Sequence, residues 1–292
     1  METNLKEIWQ VEIDLLQELL RVCQEHHLRC WVDGGTLLGT VRHHGFIPWD
    51  DDIDVCMPRE DYDRLLAIGS QAFHAPYFLQ SAYSDKDYYR GHAQLRHSQT
   101  AGIRPSDSYR PFNQGIFIDI FVLDAVPEDK EQLRTILRHF KKTLRFLKTK
   151  DTPILISGRW GLVFRKWRCL WEVRRKGWVP IYQEAEDLLR AARWEDSRYV
   201  AELGFSGDDI LFDKHIFDET LWMDFEHIRV PVPKGYDLFL RTQYGDDYMT
   251  PQRDPSYHGD LVFDLKRSYQ EVLPAVRKMY RRRQIKKLLG RK

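Results

Sequence analysis

The amino-acid sequence predicts an α+β fold, a mixed β-sheet flanked by helices, with a basic helical insertion and a C-terminal helical tail. Three observations carry that expectation. Strand-length apolar runs at 30–32, 53–57 and 115–123 are separated by stretches with helical spacing. Asp52-Ile53-Asp54-Val55 alternates acid with apolar residue, the two-residue period of a strand buried on one side. Lysine and arginine crowd into two stretches, with 14 against two acids over 134–178 and nine against none over 272–292.

In chain order, Leu5, Ile8, Trp9, Ile13, Leu16, Leu19 and Leu20 approximate helical spacing over 3–28, ahead of a strand at 29–33. His26 and His27 close that helix as structural residues. Asp33-Gly34-Gly35-Thr36 predicts a tight turn and Leu37-Leu38 a short helix. A strand at 52–57 follows a loop carrying Arg42, His43, His44 and Gly45. Pro58 with Glu60 and Asp61 marks the next helix start, running to about Gly69. Strands are expected at 77–82, 91–96 and 115–123, with Asp124 as a turn or capping residue. Helices are expected at 128–150, 159–178 and 180–192, then short strands at 201–204, 210–212 and 229–232. Pro233, Lys234 and Gly235 lead into a helix ended by Gly245, and a basic helix or frayed tail ends the chain. The implied division is 1–127 catalytic core, 128–195 basic and aromatic insertion, 196–262 remainder of the catalytic domain, and 263–292 tail.

Two adjacent glycines let backbone amides approach a ligand, and a helix N-terminus behind them favours phosphate. Gly34, Gly35 and Thr36 are therefore expected to cradle phosphate. Asp52 and Asp54 on one face repel unless neutralised, and paired oxygens of this kind suit Mg2+, or Mn2+ in its place. An acidic loop solvating a strand end is the alternative. A diglycine, a spacer and Asp-apolar-Asp-apolar is the layout of a nucleotidyltransferase-type site, so the sheet is expected to be nucleotidyltransferase-like. Asp119 is a single acid inside an apolar run. A buried lone charge is costly unless paired or metal-bound, so it is the candidate third carboxylate, with a buried salt bridge as the alternative. Arg96, projecting from its strand toward the glycine turn, reads as a phosphate clamp or a surface arginine.

DGGTLLGTVRHHGFIPWDDDIDV resembles the signature of the LicD/fukutin family, and the resemblance continues in IDIFVLDAVP and VPVPKGYDLFLRTQYGDDYMTP. It is nearest the bacterial choline-phosphotransferase branch, since the fukutin branch carries a large accessory domain. The resemblance implies a phosphotransferase that moves a phospho-alcohol, phosphocholine by default, from a CDP-linked donor such as CDP-choline. The acceptor is a hydroxyl of a glycan of teichoic acid or lipopolysaccharide type, free or lipid-linked, and CMP is released. Asp52 and Asp54 would hold metal against the diphosphate and Asp119 would complete the site and, first among the acids, take the acceptor's proton. Arg42 and Arg96 would offset charge on leaving CMP. Asp50, Asp51, Trp49, Lys234 and His258 are substrate-side candidates, and Trp31, Trp49, Tyr89 and Tyr109 are candidates for enclosing a quaternary ammonium. Two other readings stand beside this one. One is a nucleotidyltransferase that consumes a nucleoside triphosphate and releases pyrophosphate; the other is a non-catalytic membrane-surface adaptor.

Composition sets the outer limits. With 42% hydrophobic residues in a chain of 292, a sizeable core can form. Four scattered cysteines without metal spacing imply free thiols in a reducing compartment. METNLKEIWQ lacks the basic and apolar order of a secretory signal, and no apolar run is long enough to span a membrane. The expected place is therefore the cytoplasm, with peripheral attachment to the inner face of the plasma membrane. Outside its two basic stretches the chain has 22 basic and 42 acidic residues. So acidic a body disfavours nucleic acid, whereas two basic patches with interleaved tryptophan suit an anionic membrane surface.

Overall fold

A computed structural model describes residues 5–151, 160–252 and 261–288. It bears out the α+β expectation. Helix α1 (Leu5–Glu25) lays its apolar stripe on the sheet, burying Ile8, Ile13, Leu15, Leu16 and Leu19. Strand β1 (Trp31–Val32) leads straight into α2 (Gly34–His43). Then come β2 (Asp54–Pro58), α3 (Arg59–Ala72), β3 (Tyr77–Gln80), β4 (Ala93–His97), β5 (Ala101–Ile103) and β6 (Ile116–Ala125). Three helices follow, α4 (Lys130–Asp151), α5 (Trp160–Lys176) and α6 (Trp178–Asp187). The chain closes with β7 (Tyr199–Ala201), β8 (Phe212–Asp213), β9 (Thr220–Phe225), β10 (Ile228–Pro233), α7 (Tyr236–Tyr244), β11 (Val262–Asp264) and α8 (Tyr269–Leu288).

The sheet runs β1-β2-β6-β4-β3, with β7 and β8 extending from the far end of β6. Among the described strands only the β2–β6 pair is parallel, and it stands at the centre. Ile116, Ile118 and Ile120 of β6 turn into the core while Phe117 and Asp119 turn outward. That alternation is what a single acid in an apolar run encodes. Helices α4 to α6 build a second apolar cluster around Phe140, Leu147 and Tyr182, shared with Ala201 and Leu203. Helix α8 docks by Val272 and Val276 on Ala101 and Ile103 of β5, which pairs with β11. Residues up to Leu288 are thus helical rather than a frayed tail.

Several local expectations are corrected. The glycine turn is already helix, because Asp33 caps α2 by accepting from the Gly34 amide at 2.8 Å. Strand β9 was not foreseen and pairs with β10 as an antiparallel hairpin. Asp124 neither turns the chain nor caps a helix. It is fully buried in β6 and receives both Nε (2.7 Å) and Nη2 (3.0 Å) of Arg59, whose Nη1 reaches Glu186 at 3.4 Å. This network ties α3, β6 and α6 together. All four cysteines are free and buried. Among the described residues no helix is long and apolar enough to cross a membrane.

Removing one partner of such a network strands the other charges in the core. Arg59→Met is expected to cost roughly 3–5 kcal/mol in denaturant unfolding. Adding Asp124→Leu should recover a large part of that loss.

Candidate active site

The site forms where β2 and β6 run side by side. Asp54 and Asp119 occupy the same register position on these adjacent parallel strands, so their side chains emerge next to each other. A cavity of about 610 Å3 opens above them, lined also by Asp33, Gly34, Asp51, Asp52, Arg90, His92, Arg104, Glu202 and Gln243. Asp52 lies in the loop before β2 rather than within the strand. The two-residue β1 supplies ladder partners only for Val55 and Cys56. Asp52 still faces the cavity, and the carboxylates of Asp50, Asp51 and Asp52 lie close enough for one oxygen of each to fall within 4.8 Å of the others.

The two glycines make room for these acids. Gly34 sits at φ +48°, and a methyl on it would meet Asp54 Oδ2 at 3.3 Å. A methyl on Gly35 would stand 2.6 Å from Asp50 Oδ2. The Thr36 hydroxyl is buried and accepts from the Asp54 amide at 2.9 Å, fixing the start of β2. Asp33, besides capping α2, donates its own amide to the Asp54 carbonyl at 2.9 Å. The diglycine segment therefore packs against the carboxylates, with Gly34 alone of the three exposed to the cavity.

Asp119 is held from β4. Gln94, its register partner, donates at 2.6 Å, and His92 Nε2 stands 3.1 Å from the same oxygen. His92 is in turn gripped between Phe121 and Phe205, at ring distances of 5.0 and 5.4 Å. Burial raises the Asp119 carboxyl, but His92 and Gln94 outweigh it and bring it below the usual carboxylate range. Asp54 goes the other way. Burial first, then Asp52 and Asp119, push its carboxyl well up, and its Oδ1 is enclosed without a hydrogen-bond partner. Behind the loop, Glu12 of α1 is buried and raised by burial and by the same aspartates. Glu202 is raised by burial and by Asp33. Such a set of carboxylates, with an enclosed oxygen left over, fits a hard divalent cation with oxygen ligands.

The remaining candidates are placed as follows. Arg96 does not reach the glycine turn. Its Nε bonds the Gln80 side chain at 2.5 Å, its Nη1 the Gly115 carbonyl at 2.6 Å, and its Nη2 the Gln94 amide oxygen, with the guanidinium 4.5 Å over Phe117. Strand alternation put Arg96 on the correct face, but neutral acceptors on β3, on β4 and just before β6 take up its reach. It orients Gln94 and thereby Asp119. Arg42 bonds the Tyr248 carbonyl at 2.8 Å, outside the cavity wall. Lys234 is exposed on Glu219 at 2.6 Å. Trp49 is half-buried against the main core, and His258 lies outside the described residues. Trp31 and Tyr89 are core residues, and Tyr109 is exposed beside Arg277. Among the described residues the arginines on the cavity are instead Arg90, bonded to Asp107 at 2.8 Å, and Arg104. Its aromatic rings are Phe117, Phe121 and Phe205. Of the residues missed, His92 alone had a signal, two positions before Gln94 on the same strand face.

A carboxyl raised in the folded chain supports folding while protonated, a contribution lost as pH rises through the raised value. Without divalent cation, Asp54→Asn is therefore expected to stabilise the protein at neutral pH by on the order of 1 kcal/mol, about 2–4 °C in Tm. Addition of Mg2+ should raise the Tm of the parent chain and leave that of the variant unchanged.

Comparison with known proteins points to one family. Residues 27–146 match the family model described as LicD/FKTN/FKRP, nucleotidyltransferase domain. The lipopolysaccharide cholinephosphotransferase LicD of Haemophilus influenzae is 26% identical over 276 residues, spanning 87% of this chain and 96% of that protein. Uncharacterised proteins of Rickettsia prowazekii and Rickettsia typhi are 36% and 40% identical over 70 and 47 residues, a quarter or less of each chain. The matched stretch contains Asp52, Asp54 and Asp119, and the chain is similar to the LicD family there and, more distantly, to one named LicD protein along most of its length.

Proposed function

We propose that this chain transfers phosphocholine from CDP-choline to a hydroxyl of a cell-surface glycan, of lipopolysaccharide or teichoic acid type, and releases CMP. The observation that carries this reading is the in-register pair Asp54 and Asp119 at the floor of the cavity, with Asp52 beside them. The full-length likeness to a protein named as a lipopolysaccharide cholinephosphotransferase supports the choice of substrate class.

The reaction joins the acceptor oxygen to the phosphorus that bears choline and breaks its bond to the CMP oxygen. The attacked phosphorus is shielded by negative charge, so catalysis lies in positioning and charge neutralisation. Asp52, Asp54 and Asp119 would hold Mg2+, which when bound offsets charge on the diphosphate. Arg90 and Arg104, which line the same cavity, would bind the phosphate oxygens, the task the sequence assigned to Arg42 and Arg96. His92 and Gln94 keep Asp119 anionic, which suits ligation better than proton uptake. The acceptor's proton accordingly passes to another carboxylate of the cavity. Phe121 and Phe205, both lining the cavity with rings 4.5 Å apart, offer aromatic surface to a quaternary ammonium.

The test is product analysis with CDP-choline, Mg2+ and a glycan acceptor, alongside ATP and CTP as rival donors. CMP should appear only with the CDP-linked donor; pyrophosphate from a triphosphate would assign the other nucleotidyltransferase chemistry. Asp54→Asn and Asp119→Asn should each cut turnover by about 10^3-fold or more while the protein stays folded. Phe205→Ala should raise the KM for CDP-choline roughly 2–30-fold. It should leave the KM of a CDP-linked alcohol lacking the ammonium nearly unchanged.

A further inference from the structure

Among the described residues, helix α5 packs on α4 and α6 through one side. Cys169 is fully buried there, its thiol 3.1 Å from the Phe146 carbonyl, and Val173 packs against the second apolar cluster. The opposite side carries Val163, Phe164, Trp167, Leu170 and Trp171, all exposed, with Phe164 at 68% and Trp167 at 66%. At about 100° per residue these five positions fall within ~120° of arc, facing away from Cys169. An apolar stripe on the solvent side of a helix is the reverse of what a surface helix of a water-soluble body presents.

The rest of α5 is cationic. It carries six Lys/Arg, and its one acid, Glu172, is bonded to Arg168 at 2.9 Å. Arg175 lies over the Trp171 ring at 4.9 Å. The adjoining helix α4 adds exposed Arg138, Lys141, Lys142 and Arg145. A second copy of this chain seated on the stripe by two-fold symmetry would bring the two cationic flanks together. An anionic lipid surface accepts both features at once. Tryptophan and phenylalanine enter the interfacial layer while lysine and arginine meet the headgroups.

We infer that the exposed face of α5 is a docking surface for an anionic lipid membrane, holding the protein in the interfacial plane without crossing it. The inference rests on α5 and its neighbour and not on the transferase reading.

The test is co-sedimentation of the full chain with vesicles of phosphatidylcholine alone and with phosphatidylglycerol making up roughly a third. Binding is expected to the anionic vesicles, weakening as salt is raised, with little to the neutral ones. Phe164→Glu combined with Trp167→Glu should lower the partition at least about tenfold, with unchanged circular dichroism. Arg165→Gln with Arg174→Gln should lower it too and flatten its salt dependence. Equal sedimentation of the Phe164/Trp167 variant, or absence of the parent chain from the anionic pellet, would overturn the inference. So would a concentration-dependent dimer in gel filtration that the same variant abolishes, since a second copy would then cover the stripe.

Discussion

Two like charges in register on neighbouring parallel strands are the constraint around which this molecule is arranged. Asp54 and Asp119 cannot avoid each other, because the β2–β6 ladder sets their positions. The fold treats them differently. Asp119 is bonded by Gln94 of β4 and by His92 just before that strand and stays anionic, whereas Asp54 keeps an enclosed oxygen without a partner and an elevated carboxyl. An arrangement that only served stability would have placed a cation between them, as Arg59 is placed against Asp124 and Glu186. The site instead holds repulsion in reserve, which a divalent cation and a diphosphate can relieve.

Much of the surrounding structure maintains that arrangement. Gly34 and Gly35 are needed because carboxylate oxygens occupy the space a methyl would take. Thr36 and Asp33 bind the backbone at the start of β2, and Trp9 of α1 donates to the Asp50 carbonyl at 3.0 Å. Arg96 acts at one remove, holding Gln94, which holds Asp119. Its burial among neutral acceptors lowers the guanidinium to about 10, and the neighbouring Asp119 pulls the other way. Charge is also segregated on a larger scale. Acids gather around the cavity, while the bases collect on α4, α5 and α8.

The parts of the site legible in the sequence were those whose geometry is local. Acid-apolar alternation is a property of a strand, so Asp54 and Asp119 could be read directly, as could the close approach that a diglycine permits. Arg42 and Arg96 were assigned to phosphate and Lys234 to the substrate side, as cations in or near the resembling stretches. A long side chain takes its direction from whatever acceptor the folded chain brings near, and for these three the acceptors lie elsewhere. Glu12, Arg90, Glu202 and Gln243 come from α1, the loop before β4, the turn after β7 and the end of α7. No spacing in the chain connects them.

The sequence by itself determined the α+β class, the helix and strand periods, the acidic motif with its glycines and the separation of basic from acidic stretches. These follow from nearest-neighbour sterics and from which side chains water rejects, both of which act along the chain. Tertiary structure alone decided which acid is held as an anion and which is left with an unsatisfied oxygen. It also decided which arginines face the cavity, and that the aromatic face of α5 points outward. Those outcomes depend on partners tens to hundreds of residues away, and electrostatic energy is set by distance in space rather than by separation along the chain.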